Sequence, residues 1–417
     1  MTNKTLTIIL TGLLALLLAG CAQPAFETPI NPPDQTGVQS SSDAGANPSG
    51  SVAEPDPALI RMPAGLALVT GGGEDLSFFA LDGTAPGDIR LPEQGMISRS
   101  TTHIAGAYTG KPDLPVVYFQ PADFGDCQDC GLWLLDHGQT RQILQFNNLE
   151  AVIGVPGEDL IAFVEHRPLM ESNILRSSMF IGDPASLPSA QPVLVMDSHE
   201  SLGIVPVAIR LEAGTPVGIF YTQRPFGIGG EIVFDPLLGL FYLDLVTKST
   251  SEILPSTSAF SSLSPSLRLA AYSLRATDNE KGGIKIRDLA NRQEKFIETL
   301  KDRERGAGLV VISPDDRWLA WLEVRGGLST DNFHATIRVG NLDGSDIQDY
   351  PQEAFVKIAQ LGEAIWVTPL GWLDNSKLLV GVRSMGRDSQ AVNLSMDVLT
   401  GEIRYLAAGL FVGFLYP

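Results

Sequence analysis

Arg167, Arg224, Arg275, Arg325 and Arg383 each follow an apolar run and precede a polar one. Nine residues before them stand Glu158, Thr215, Ser266, Asp316 and Asp374, so the five read as sharing a register. A guanidinium presents a planar fork of donors that matches carboxylate and phosphate. Five of them at equivalent positions form a partial ring of cations able to select an anionic ligand. A plainer use is open to the same residues. An arginine at a strand end covers apolar rim with its stem and pairs with a neighbouring carboxylate, here Glu165, Asp278, Glu280 or Glu323.

His166 lies between Glu165 and Arg167, at the head of a stretch expected to be a long loop (167–176), and is the best single candidate for acid–base catalysis. The bland reading is a surface histidine. The other histidines, His103, His137, His199 and His334, have no metal-ligand spacing. The chain has no G-x-S-x-G, H-E-x-x-H, P-loop or EF-hand sequence. Carboxylates meeting at a channel mouth would make an acid–base pair. Cys127 and Cys130 in "FGDCQDCG" suit a small disulfide loop in an oxidising compartment. A metal would need two further ligands, and none is near in sequence; a redox dithiol would need a strand–CxxC–helix context. No metal or cofactor is expected.

The chain opens "MTNKTLTIILTGLLALLLAGC": a lysine, an apolar run too short for a comfortable membrane span, then small residues before Cys21. Leu18 to Cys21 resembles the lipobox of bacterial lipoproteins. The resemblance implies cleavage before Cys21 and acylation of it; the alternative is an ordinary leader with a chance cysteine. Ala22 leans towards the outer membrane, where the cell has one, by that family's sorting rule. Residues 22–57 are rich in Pro, Ser, Gly and Ala with no apolar period. They read as a tether of roughly 30 Å r.m.s. reach. The expected organisation is a leader (1–20), an anchored linker (21–57) and one body (58–417). The net charge of −19 opposes binding to phosphate backbones, so nucleic acid is not an expected partner. Membrane association is expected through the lipid anchor only, in an extracytoplasmic location.

The arginines and His166 need elements to place them, and the body supplies a repeat. One half is a polar turn and an apolar strand: "VPGEDLIAFVEHR", "GTPVGIFYTQR", "SPSLRLAAYSLR", "SPDDRWLAWLEVR", "LDNSKLLVGVR". The other half is a hairpin with Asp or Asn near its turn, as in "LFYLDLVTKSTSEILP" and "NLSMDVLTGEIRYL". Seven hairpins, each after one or two further strands, give seven four-stranded sheets, and a radial arrangement protects their edges. The S-P-D-D-R-W-L-A-W form resembles the TolB-like propeller repeat, a relative of the WD repeat, over nearly all of residues 60–417. The expected fold is all-β, a seven-bladed propeller closed by the C-terminal strand "LFVGFLYP" pairing with the first blade.

In such a meander the turns after first and third strands share one face, and the longer loops that the arginines open share the other. The resemblance implies a scaffold or assembly role. The expected function is non-covalent binding of a cell-envelope protein, peptide or anionic glycan. The alternative is a propeller enzyme acting on glycans or lactones at the central channel.

Overall fold

The computed structural model describes residues 60–70, 75–81, 87–90, 103–104, 116–120, 131–136, 139–145, 149–169, 174–225, 234, 237–274, 281–301, 306–327, 332–361, 365–384 and 390–416. The cysteines and Arg275 lie outside them. Blade one holds β1 (Gly65–Thr70), β2 (Asp75–Ala80) and β3 (Gly87–Arg90); blade two β4 (His103–Ile104), β5 (Val116–Gln120), β6 (Gly131–Asp136) and β7 (Gln139–Gln145). Blade three holds β8 (Leu149–Gly154), β9 (Ile161–Leu169), β10 (Ile174–Gly182) and β11 (Leu194–Ser198). Then come β12 (Leu202–Glu212), β13 (Thr215–Pro225), β14 (Leu238–Asp244), β15 (Thr250–Leu263), β16 (Leu269–Leu274), β17 (Gly283–Asp288) and β18 (Glu294–Glu298) in one continuous sheet. β15 is shared: its first half pairs with β14 and its second half with β16, which makes blades four and five. Blade six holds β19 (Gly306–Ile312), β20 (Trp318–Arg325), β21 (His334–Asn341) and β22 (Gln348–Pro351). Blade seven holds β23 (Ile365–Trp372), β24 (Lys377–Ser384), β25 (Ala391–Asp397) and β26 (Ile403–Ala408). The last strand, β27 (Leu410–Leu415), pairs antiparallel with β1, and Ala64 N–H donates to Leu415 O at 2.7 Å. These are the seven four-stranded blades of a β-propeller.

The cores lie between blades. Leu269, Ile284, Ile312 and Trp321 meet between blades five and six; Val324, Ile337, Val380 and Leu394 meet between six and seven. Leu66, Leu68, Leu379 and Phe411 meet between seven and one. A helix, α1 (Gln352–Ala359), fills the connection from blade six to blade seven with Phe355 and Ala359. This helix is not predictable from its sequence, because "EAFVKIA" is too short to show a helical period above its strand-rich surroundings.

The repeat is written in backbone hydrogen bonds. Ser264 and Ser313 open equivalent turns, and each hydroxyl accepts from the amide five residues on, Leu269 at 3.0 Å and Trp318 at 2.8 Å. The hairpin aspartates cap their turns: Asp244, Asp288 and Asp397 each accept two amides two and three residues later. The residue after each aspartate then donates to the first turn of its own blade or, in blade four, to the start of the strand that follows that turn. The pairs are Leu245 to Val217 O, Leu289 to Arg268 O and Val398 to Ser376 O, and Leu342 to Arg317 O does the same in blade six. Both turn types therefore lie locked together on one face.

Candidate functional site: the turn face and its cavity

Arg167, Arg224, Arg325 and Arg383 all sit at the far ends of second strands, away from the turn face. Their environments differ. Arg167 and Arg383 are exposed; Arg224 and Arg325 are half-buried. Arg167 does not open a loop. β9 runs on to Leu169, and Arg167 lies across from Arg176, which binds Asp197 through two bonds of 2.7 Å. The shared register fails as well. Aligned on their turn serines, Ser266 matches Asp315 rather than Asp316, so Arg325 stands one residue further along its blade than Arg275 does. Glu323, a suggested partner of these arginines, is fully buried with Arg338 instead. Its Oε1 accepts from Arg338 Nη1 and Trp321 Nε1 at 2.8 Å, and its Oε2 from Leu300 N–H at 3.0 Å.

His166 is also relocated. It stands inside β9, 2% exposed, with Nδ1 2.8 Å from Ser177 Oγ, between blades three and four. Burial, helped by the nearby Arg224 charge, lowers its pKa to about 3, so the ring is neutral. Neighbouring Glu165 is pushed up by burial, against the pull of Arg167.

On the opposite face the inner strands frame a cavity of about 640 Å³. The ends of β8, β12, β15, β19, β23 and β27 line it, so it occupies the propeller's central channel at the turn end. Phe220, Trp372, Phe414 and Tyr416 supply aromatic wall, with Leu211, Leu263, Val311 and Ile312 between them. Burial raises the Tyr416 phenol to about 12, so it stays protonated. Two carboxylates face the space and each is already paired: Glu158 with Arg61 at 2.8 Å, Glu212 with Arg210 at 2.6 Å. Two wall polar atoms, Ser262 Oγ and Trp372 Nε1, are buried and make no hydrogen bond to another described protein atom. Among the described residues no group of three or more His, Cys, Asp or Glu gathers as metal ligands would.

The other end of the channel is built differently. Phe234, from the connection between β13 and β14, packs against the core between blades six and seven. Its ring lies over Gly308, where a Cβ would come within 2.6 Å of it. That long connection, expected to present a binding surface, sends this aromatic inward. The sequence held one signal for the cavity, the prolines of the turns (Pro156, Pro265, Pro314). Its walls come from strand ends far apart in the chain, and no local pattern announces them.

The two most exposed large apolar side chains among the described residues belong to the turn face too. Val246 (77%) and Leu399 (67%) each stand two residues after the capping aspartate, in blades four and seven.

No protein-family model and no curated protein matches this chain. Solved structures similar to it include a β-propeller domain. TolB from Acinetobacter baumannii is 12% identical over 82% of each chain, with a TM-score of 0.40. The β-propeller domain of the Trilobed protease from Pyrococcus furiosus is 11% identical over 80% of this chain and 86% of that one, at 0.47. Oligogalacturonate lyase from Vibrio parahaemolyticus is 12% identical over 61% and 70%, at 0.39. Likenesses this distant carry nothing about activity, and the propeller assignment rests on the sheet order itself.

Proposed function

We propose that this chain is an envelope-anchored propeller that works as a binding module, taking an apolar or aromatic side chain of a protein or peptide partner into the turn-face cavity. One observation carries the reading: the cavity is walled by aromatics, and both its carboxylates are neutralised by arginines. A charged ligand finds no uncompensated partner there. An uncharged amphipathic segment buries its apolar group against Trp372 and Phe414 and meets polar atoms at the rim. A cavity of this size holds a large side chain together with some flanking backbone. Exposed Val246 and Leu399 on the same face suit a protein surface better than a small solute. The face that carries Arg167, Arg224, Arg325 and Arg383 remains a candidate for an anionic glycan. The anchor at Cys21 would hold the body at a membrane surface through several acyl chains.

The test is a selection of displayed random peptides against the full chain, repeated on the cavity-filling variants Ala208→Trp and Val311→Phe. The reading expects enriched peptides that carry an aromatic or branched aliphatic residue and lose binding at least tenfold in the filled variants. Peptides that bind the filled variants equally, and instead lose binding in an Arg167→Ala/Arg383→Ala double variant, would move the site to the other face. Anchoring is checked separately: Cys21→Ser should abolish incorporation of labelled palmitate and release the protein from membranes.

A further inference from the structure

The cavity has one wall that does not belong to a blade. Residues 60–64 lead into β1, and Ile60, Arg61 and Pro63 line the space beside strand ends from six blades. This segment is fixed at two points. At its end, Ala64 N–H bonds to Leu415 O. At its start, Arg61 reaches across to blade three: Nη1 donates to Gly157 O at 3.1 Å and Nη2 to Glu158 Oε1 at 2.8 Å. The seat is specific. Gly157 has φ +71°, and a Cβ there would overlap the Arg61 guanidinium. Glycine both forms the turn and leaves the space that the arginine fills.

We propose that residues 60–64 are a strap over the cavity, latched by Arg61 on Gly157 and Glu158, and that whatever acts on the chain before Ile60 thereby acts on access to the cavity. The inference rests on the reading of that cavity as the binding site. Three features support it. The strap lines the cavity without being part of a sheet, so it moves without breaking a ladder. Its latch is an exposed ion pair, with Arg61 and Glu158 side chains 38% and 48% accessible. Pairs of this kind hold weakly, so the latch opens readily. The linker joins the body at this point, so tension in it or a partner bound to it reaches the latch first. The occupant would in turn press on Ile60 and Pro63, so occupancy and linker coupling are reciprocal.

The test needs no ligand. The full chain carrying Cys21→Ser is compared with Arg61→Ala, Arg61→Glu, and Arg61→Glu paired with Glu158→Arg, each with and without Trp372→Phe. Two quantities are measured: amide exchange at residues 61–64 and 157–159, and acrylamide quenching of the fluorescence due to Trp372. The expected result is faster exchange at both segments in Arg61→Ala and Arg61→Glu. Trp372 quenching should rise at least twofold, both effects should reverse in the charge-swapped pair, and exchange in 394–406 should not change. Unchanged Trp372 quenching in Arg61→Ala, or no recovery in the swapped pair, would overturn the strap. Peptide selection reports on the cavity independently: peptides that bind while the latch variants behave like the parent would leave the site standing and remove only its gate.

Discussion

His166 shows how burial decides what a residue does. A histidine beside a glutamate and an arginine reads as an acid–base candidate, and the strand buries it against Ser177. Its folded pKa of about 3 lies below the free value of 6.5, so between those values the unfolded chain holds the proton and the fold does not. Stability therefore falls as pH drops through that window, by about 2 kcal/mol between pH 7 and pH 5. Replacing it in His166→Gln keeps a hydrogen-bonding group and removes the titration. Melting curves should show a flatter decline from pH 7 to pH 5 in the variant, and equal slopes would contradict the assignment. Asp316 works in the opposite direction. It is half-buried with φ 54°, accepts from Ser266 Oγ at 2.6 Å, and its carboxyl is pushed up by desolvation. Above its folded pKa the charge costs stability. Asn accepts the same bond and tolerates that backbone region. Thus Asp316→Asn should melt at or above the parent temperature at pH 7, with the advantage shrinking as pH falls. A clear loss at pH 7 would mean the charge itself holds blades five and six together.

At the scale of elements, the turn serine and the capping aspartate together explain why the chain repeats itself. Ser313 Oγ takes the amides of Trp318 and Arg317, and the following hairpin turn bonds back to Arg317 O. Removing the hydroxyl in Ser313→Ala leaves the part-buried Trp318 amide short of a partner, at about 1–2 kcal/mol, while Arg317 N–H keeps Asp315 Oδ1 at 3.3 Å. Thermal unfolding should shift down by a few degrees. The exposed Arg383→Ala should leave it unchanged, and a shift of the same size in both would deny the serine its role. This level was legible in sequence, since serine, proline and aspartate impose local geometry that a reader can predict. The arginine register was not. A one-residue difference in strand length is invisible when blades are aligned on their last residue, and the serine hydrogen bonds reveal it. The cavity was not legible either, because its walls are brought together from six blades by topology alone.

Across the whole molecule, the C-terminal strand joins the first blade, and Phe411 and Leu415 are buried there. Deleting 410–417 removes a ladder and two large apolar side chains, worth about 1.5–3 kcal/mol each. The truncated chain should melt well below the parent, over a broader range, as read by circular dichroism. Parental melting would show that β1 does not depend on its partner. The seven blades were foreseen from the hairpin count, and the binding face was expected on the arginine side because loop length was read as elaboration. One such loop turns Phe234 inward, and the aromatic cavity that we propose as the binding site opens at the turns. The direct measurement of that claim is site-specific photocrosslinking in the producing cell, with a benzophenone side chain at position 208, in the cavity wall, and at position 383, on the arginine face. A discrete protein or peptide adduct from position 208, absent at 383, is the predicted result. An adduct from 383 with none from 208 would contradict the account.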